Sequence, residues 1–493
     1  MRAAVTTRQR AAAAATAAPP AIPARPFSAA HATPLLRPAW AAMPSRPFSA
    51  ASASATTTPL LPSRTAVLFP GQGSQRCGPE VRDLESEWGR LVRPAWEELD
   101  ESLQMNLSAL MKDGGGSSQL QSTELAQPAI LAHSYALWIV LKHELGLRDL
   151  SSLCGVAMGH SLGEYTALVV ADALSFADGV RLVHARGKAM KHATKPGAAG
   201  MAALLCDSRS AGLHLPSILA LLAEAQEACP NCTLSVANLN SPFQIVISGH
   251  TEAIEYVKAR VNKGAPPAAT TRGSRSNAAE SNSADASPSA ASSSLTRGIL
   301  KCVSLDVSGP FHSPLMSPAS AALQTALASV HFRTPTVPIL FNVHSHPSLK
   351  SERFGEYLLA GLTQPVQWHP SICHAMLQLH TRDFLELGPS TPLASMLRST
   401  ASRLAQQHHV LDPLVHPADS RGGRSPHPSI LPLIMPRPKV LLDDGSSLEE
   451  KDSASILAGL APAWGEVRTV GVSSVKEMRE FLQRQDRVQP VEV

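Results

Sequence analysis

The stretch Gly159-His160-Ser161-Leu162-Gly163-Glu164-Tyr165 constrains the fold more than any other part of the chain. It has the G-x-S-x-G form of a nucleophile elbow, in which a sharp strand-to-helix turn lifts a serine Oγ out of the backbone. An apolar run of strand length, Leu153 to Met158, precedes it. The nearly uncharged segment from Tyr165 to Ala173 reads as a buried helix. A turn this tight leaves no room for a Cβ at Gly159 or Gly163. Ser161 then stands at a helix N-terminus, where unpaired N–H groups and the helix dipole favour negative charge developing beside it. Three fixed positions are not diagnostic by themselves, because Gly and Ser are common residues.

At 493 residues the chain has room for two or three domains. Residues 1–63 stand apart: they are rich in Ala, Ser, Thr and Pro, carry Arg2, Arg8, Arg10, Arg25, Arg37 and Arg46, and contain no acid, the first being Glu80. Arg-rich, Ser-rich and acid-poor is the composition of an organelle transit peptide. Arg25-Pro-Phe-Ser28 recurs as Arg46-Pro-Phe-Ser49 and resembles the Arg-x-Phe-Ser sites of mitochondrial processing, so the mitochondrial matrix is expected. The alternative is a merely disordered Ala/Pro-rich tail. The net charge of +4 comes largely from this leader and is no argument for a nucleic-acid partner. Seven cysteines form no disulfide framework, which suits a reducing compartment. Cys229-Pro-Asn-Cys232 lacks the second pair of ligands a zinc site needs. No apolar run approaches the ~20 residues that span a bilayer.

The folded sequence opens with Thr65-Ala66-Val67-Leu68-Phe69, a strand running into the Gly-rich loop Pro70 to Gln75. That loop matches neither G-x-G-x-x-G nor a P-loop, so it is expected to bring backbone N–H groups to a site. A mostly apolar helix is predicted over Glu124 to Glu144, and an amphipathic one over Ser175 to Met190 with Ser175 as N-cap. Beyond it, strand Gly200–Leu205, helix Leu215–Ala228, strands Leu234–Ala237 and Gln244–Ser248, helix Glu252–Val261 and strand Ile299–Val307 follow in order. That β-α-β-β-α-β order is the split βαβ pattern of a ferredoxin-like unit. Pro266 to Ser294, nearly all Ala, Ser, Asn, Thr and Pro, is expected to be a disordered insertion within it. A helix to about Val330, strand Val337–Val343, a helix near Phe354–Leu362, a further helix and strand Asp383–Leu387 come next, and a last strand and helix lie at 467–483.

Seven motifs then fall in one order: GQGSQ at 71–75, GHSLGEY at 159–165, HARGKAM at 184–190, Asn238-Leu-Asn240-Ser-Pro, PFHSPLM at 310–316, PVQW at 365–368 and ELGP at 386–389. Together they resemble the malonyl-CoA:acyl carrier protein transacylases of type II fatty acid synthesis, over roughly 65–400 and more weakly near 467–485. The resemblance implies an α/β fold, an α/β-hydrolase-like core with an inserted ferredoxin-like subdomain. Its parts would be core at 65–198 and 309–402, the subdomain at 199–308, a low-order insertion at 403–465 and a C-terminal strand and helix of the core at 466–493.

By the same resemblance, Ser161 is the nucleophile and His312 the general base. The oxyanion hole is formed by the backbone N–H groups of Gln72 and Leu162. Arg186 holds the malonyl carboxylate, while Gln127, Asn240 and Phe311 occupy pocket positions, Phe311 restricting branching at the acyl group. The family orients its histidine with a backbone carbonyl from a position usually occupied by Gln. Aligned on PVQW that position is Gly361, which keeps the carbonyl but is expected to loosen the loop. His160 is expected to be structural and Arg181 a solvated helix residue. The implied partners are malonyl-CoA and a holo acyl carrier protein, with no metal, no resident cofactor and a monomeric state. Three alternatives share the elbow or the fold: a serine hydrolase with a triad carboxylate, a non-catalytic family member, and an acyltransferase domain cut from a polyketide synthase.

Overall fold

A computed structural model describes residues 64–75, 78–113, 118–207, 214–263, 296–411 and 468–486. The expected leader at 1–63, the insertion at 266–294 and the stretch 412–465 lie outside the described residues.

The elbow strand is one of six in a single sheet. β1 (Thr65–Phe69) and β2 (Val156–Gly159) are almost wholly buried, as a parallel strand covered on both faces must be. They run parallel in a register that pairs Ala66 with Val156 and Phe69 with Gly159. Both strands therefore end side by side at their carboxyl ends, and the loop after Phe69 and the elbow after Gly159 leave the sheet together. The carboxyl ends of parallel strands are where an open α/β sheet places its site. With β7 (Ile339–Leu340), β8 (Pro347–Ser348), β9 (Asp383–Leu387) and β10 (Arg468–Val472), the strand order is β10-β9-β1-β2-β7-β8, parallel except for the last pair.

β3 (Ala199–Cys206), β4 (Leu234–Ser241), β5 (Gln244–His250) and β6 (Ile299–Ser304) form a second, antiparallel sheet in the order β4-β5-β3-β6. Two helices, α6 (His214–Ala228) and α7 (Thr251–Lys263), complete the β-α-β-β-α-β unit. Their buried residues Ile218, Leu221 and Val257 join Ala202, Leu204 and Ile247 of the sheet in a separate apolar core. This is the expected ferredoxin-like subdomain. It touches the main sheet's loops through a short parallel bridge, in which Leu239 N–H donates to Val366 O at 2.9 Å and Val366 N–H to Ala237 O at 2.8 Å.

The remaining helices cover the main sheet. They are α1 (Pro79–Leu103), α2 (Leu107–Lys112), α3 (Thr123–Glu144), α4 (Gly163–Val170), α5 (Phe176–His192), α8 (Ser320–Ala328), α9 (Phe354–Ala360), α10 (Trp368–Leu377), α11 (Pro392–Leu411) and α12 (Val475–Asp486). Three differences from the sequence expectations stand out. Residues 79–112, which the motif reading left without an element, are α1 and α2. The strand expected at Val337–Val343 keeps only two ladder residues, Ile339 and Leu340, and beyond them the N–H of Asn342 goes to the Glu164 carboxylate at 2.6 Å. α11 also runs past residue 402 to Leu411, in a stretch from Ala401 free of Gly and Pro, with Pro413 the first breaker beyond it. No helix among the described residues is long and apolar enough to cross a membrane.

Candidate active site

At the elbow the chain takes a conformation that the surrounding structure must sustain. Ser161 has φ 54°, in the left-handed region that costs a non-glycine residue of the order of 1 kcal/mol. A Cβ on Gly159 would lie 1.9 Å from the carbonyl carbon of Gly163, and one on Gly163 would lie 2.0 Å from the Phe69 oxygen. The expected demand for glycine at both positions is met by the geometry.

Ser161 Oγ lies 2.8 Å from Nε2 of His312, which also has positive φ (57°) and is buried. His312 Nδ1 lies 2.8 Å from the carbonyl oxygen of Gly361. A carbonyl can only accept, so Nδ1 carries the proton, and the lone pair on Nε2 is left to accept the serine O–H. Burial, and secondarily the Arg186 charge, push the His312 pKa down to about 3, against the pull of the Gly361 carbonyl. The ring is thus held neutral, the state in which its Nε2 can accept a proton. Gly361 sits at the end of α9 in helical geometry (φ −60°, ψ −14°), and its N–H donates to Tyr357 O at 3.0 Å.

Arg186 is buried in the same place. Nη2 donates to Ser161 Oγ at 2.9 Å and Nη1 to Gln127 Oε1 at 2.8 Å, while the guanidinium carbon lies 5.6 Å from the centre of the Tyr165 ring. No carboxylate lies within ion-pair distance of it among the described residues. Burial lowers its pKa from the ordinary arginine value, with Tyr165 and Glu164 pulling the other way. A buried cation without an anion is costly, and a ligand carboxylate relieves that cost. Gln127 therefore orients Arg186.

For the oxyanion, neighbouring N–H groups are already assigned. Ser161 N–H goes to Asn342 Oδ1 (2.7 Å) and Gly163 N–H to His160 O (3.0 Å). Among the described residues, no acceptor takes the N–H of Leu162 or of Gln72. The loop bearing Gln72 is fixed by a bond from Ser74 Oγ to Gly71 O (2.7 Å), and the Gln72 side chain donates to Thr123 Oγ1 (3.0 Å). Thr123 in turn meets Ser308 Oγ at 2.6 Å, which ties this loop to the segment leading into His312.

The other expected residues fall less directly on the nucleophile. Both ends of the Asn240 amide are engaged, Oδ1 with His160 Nε2 (2.9 Å) and Nδ2 with Gln244 Oε1 (3.1 Å), so it braces the elbow through His160. His160 packs edge-on to Trp368 at 5.5 Å, the structural place expected of it. Phe311, next to His312, is buried in the main core. Arg181 is exposed and pairs with Asp178 at 2.7 Å. Cys232 Sγ donates to Glu252 Oε2 at 3.7 Å, and its N–H closes a turn onto Cys229 O. The motif reading passed over Asn342, Glu164, Thr123 and Ser308. Only Glu164 carried a signal, as an acid at the head of an otherwise apolar helix.

The model of the acyl transferase domain family matches residues 67–301. The malonyl CoA-acyl carrier protein transacylase of Salmonella typhimurium is 33% identical over 339 residues, covering 69% of this chain and 93% of that protein. Its counterpart from Bacillus subtilis strain 168 is 32% identical over 344 residues, covering 69% and 92%. Among solved structures, an acyl carrier protein S-malonyltransferase from Vibrio cholerae is 30% identical with a TM-score of 0.56, over 69% of this chain and 95% of that one. A malonyl-transacylase solved in complex with its type II polyketide-synthase acyl-carrier protein is 29% identical with a TM-score of 0.55, over 69% and 93%. With one residue in three shared over nearly the whole length of such relatives, the chain belongs to the malonyl CoA-acyl carrier protein transacylase family.

Proposed function

We propose that this enzyme moves malonyl from coenzyme A to the phosphopantetheine thiol of an acyl carrier protein, supplying fatty acid synthesis, with Ser161 carrying the acyl group between the two thiols. The observation that carries this reading is the buried Arg186, with no carboxylate at ion-pair distance among the described residues and its guanidinium 2.9 Å from the nucleophile. His312 Nε2 takes the Ser161 proton as Oγ attacks the thioester carbonyl. The oxyanion develops against the N–H groups of Gln72 and Leu162, and the malonyl carboxylate takes the guanidinium. Collapse expels the coenzyme A thiolate, which receives the proton from His312. The carrier thiol then enters by the same route in reverse.

A carbonyl behind the histidine, where a hydrolase places a carboxylate, steadies an imidazolium less. A thiol leaving group, with a pKa near ~8.5, needs less help from such an acid than an amine does. The Gly361 carbonyl thus suits a thioester substrate better than an amide. The reading includes a monomeric state, and a place in the mitochondrial matrix that the Arg-rich, acid-free composition of residues 1–63 supports. Intact-mass analysis of the protein with malonyl-CoA, then with holo carrier protein, tests the transfer. A malonyl adduct on Ser161 that moves to the carrier thiol is expected, whereas an adduct released as free malonate in the presence of carrier favours a hydrolase.

A further inference from the structure

One buried polar chain beside the nucleophile has no part in those steps. Asn342 follows β7 at the carboxyl end of the sheet, and its side chain spans the elbow: Oδ1 accepts the Ser161 N–H at 2.7 Å, and Nδ2 donates to the Gly159 carbonyl at 2.7 Å. Its own N–H donates to Oε1 of Glu164 at 2.6 Å, in the first turn of the helix that the elbow starts. Asn342 and Glu164 are 2% and 4% exposed, so water cannot replace either partner. A serine at φ 54° relaxes toward negative φ unless its backbone is held from outside, and this amide holds the peptide N–H of Ser161 together with the Gly159 carbonyl two residues before it. The same bond withdraws Ser161 N–H from the oxyanion, leaving the N–H groups of Leu162 and Gln72 as the donors.

We propose that Glu164 and Asn342 are a positioning pair: Glu164 fixes Asn342, and the Asn342 amide clamps Gly159 and Ser161 so that Oγ stays aimed between His312 and the oxyanion donors. The catalytic reading of Ser161 in the preceding section underlies this. Only an acceptor is required of Glu164. Burial pushes its carboxyl up to about 8, opposed by the Asn342 N–H and by Arg186, and Oε1 accepts whether or not the group is ionised. Asn342, by contrast, must accept and donate at once, which an ionised carboxylate cannot do.

The test compares Asn342→Ala, Asn342→Asp, Glu164→Gln and Glu164→Ala in the full chain at pH 8, with melting curves to establish folding. Two rates are read: malonyl loading from malonyl-CoA, split into kcat and KM, and covalent labelling of Ser161 by a fluorophosphonate, which needs no malonyl recognition. Both Asn342 variants are expected to lose about 100-fold in kcat and in labelling with KM within about twofold, the size of loss that a displaced reacting group brings. Asn342→Asp is expected to regain rate as pH falls and its carboxyl protonates, whereas the native protein does not. Glu164→Gln stays within about threefold of the native rates and Glu164→Ala falls at least about tenfold. A folded Asn342 variant with both rates within threefold of native overturns the proposal, as does a Glu164→Gln as impaired as Glu164→Ala. If the alanine variants fail to fold, low rates for Asn342→Asp at pH 8 together with near-native rates for Glu164→Gln still support it, and any other pairing overturns it. Native protein that labels but never transfers malonyl refutes the transferase reading and leaves this test standing.

Discussion

Arg186 bonds both to Gln127 and to the nucleophile, so removing it acts on more than one step. Any acyl group loses the guanidinium beside Ser161 Oγ, but only a malonyl group also loses a charge-assisted, bidentate partner for its carboxylate. Arg186→Ala is therefore expected to cut malonyl loading about 100-fold or more while acetyl loading falls far less, since bonds to charged groups are worth about 1.5–3 kcal/mol each. Parallel single-turnover assays with the two thioesters read the ratio, and an equal loss on both would count against the carboxylate role. His312 yields a prediction in pH. Its pKa is pushed down to about 3, so the base remains neutral well below the usual histidine range. The acid limb of kcat/KM for loading should lie below pH 5, and a limb at about 6.5 would mean an unperturbed ring. Gly361 contributes only its carbonyl. A Cβ there would lie 3.4 Å from the Leu358 oxygen and 3.5 Å from the Tyr357 oxygen, in backbone geometry open to any residue. Gly361→Ala should leave kcat within about twofold and stabilise by about 0.4–1 kcal/mol through the unfolded state, read by urea titration.

The stretch through Val366 and Trp368 joins the two sheets: Val366 bridges to β4, and Trp368, fully buried at the start of α10, supports His160, which holds Asn240. Trp368→Ala should cost about 3–5 kcal/mol by opening a cavity between them. The loss appears as a lower urea midpoint, and a change of less than about 1 kcal/mol would show that the site had collapsed to fill it. Elements whose signal is local were legible in the sequence. The six elements of the small sheet appear because alternation, helical spacing and turn residues all lie within each segment. α1 was not read, although Val81, Leu84, Val92, Trp96 and Leu99 form its buried stripe, because Pro94 interrupts the pattern. The helix carries that proline in its interior and separately breaks helical geometry at Trp88 (φ −118°, ψ 33°). Ser161, His312 and Arg186 were found because they sit in recognisable motifs. Asn342 was not, because its role arises only when a loop 181 positions away meets the elbow, and no periodicity records such a meeting.

Across the whole molecule, burial has left several histidines neutral. His133, His344, His369 and His374 are each pushed down to about 4 and His312 to about 3, with burial the largest cause in every case. The unfolded chain binds protons at these residues from about pH 6.5 downward, while the folded chain resists until pH 3 to 4. Below 6.5 the unfolded state therefore holds more protons, and stability must fall as pH falls through that window. Glu164 and Glu386 act in the opposite sense. Burial raises them to about 8 and about 7, so their folded forms keep protons that the unfolded forms release above about 4.5, and their contribution declines as pH rises. Among the described residues, these five histidines, with His160 lowered by burial as well, outweigh two carboxyls and leave the acid side dominant between about pH 4.5 and 6.5. Urea midpoints are expected to drop steadily from pH 6.5 to 5. His133, wholly buried in α3 and outside the catalytic groups, isolates one contribution. Replacing it with Phe should flatten the slope by up to about 1.4 kcal/mol per pH unit, the share of one titrating group. If His133→Phe folds and the slope is unchanged, the acid sensitivity arises elsewhere than in the buried imidazoles.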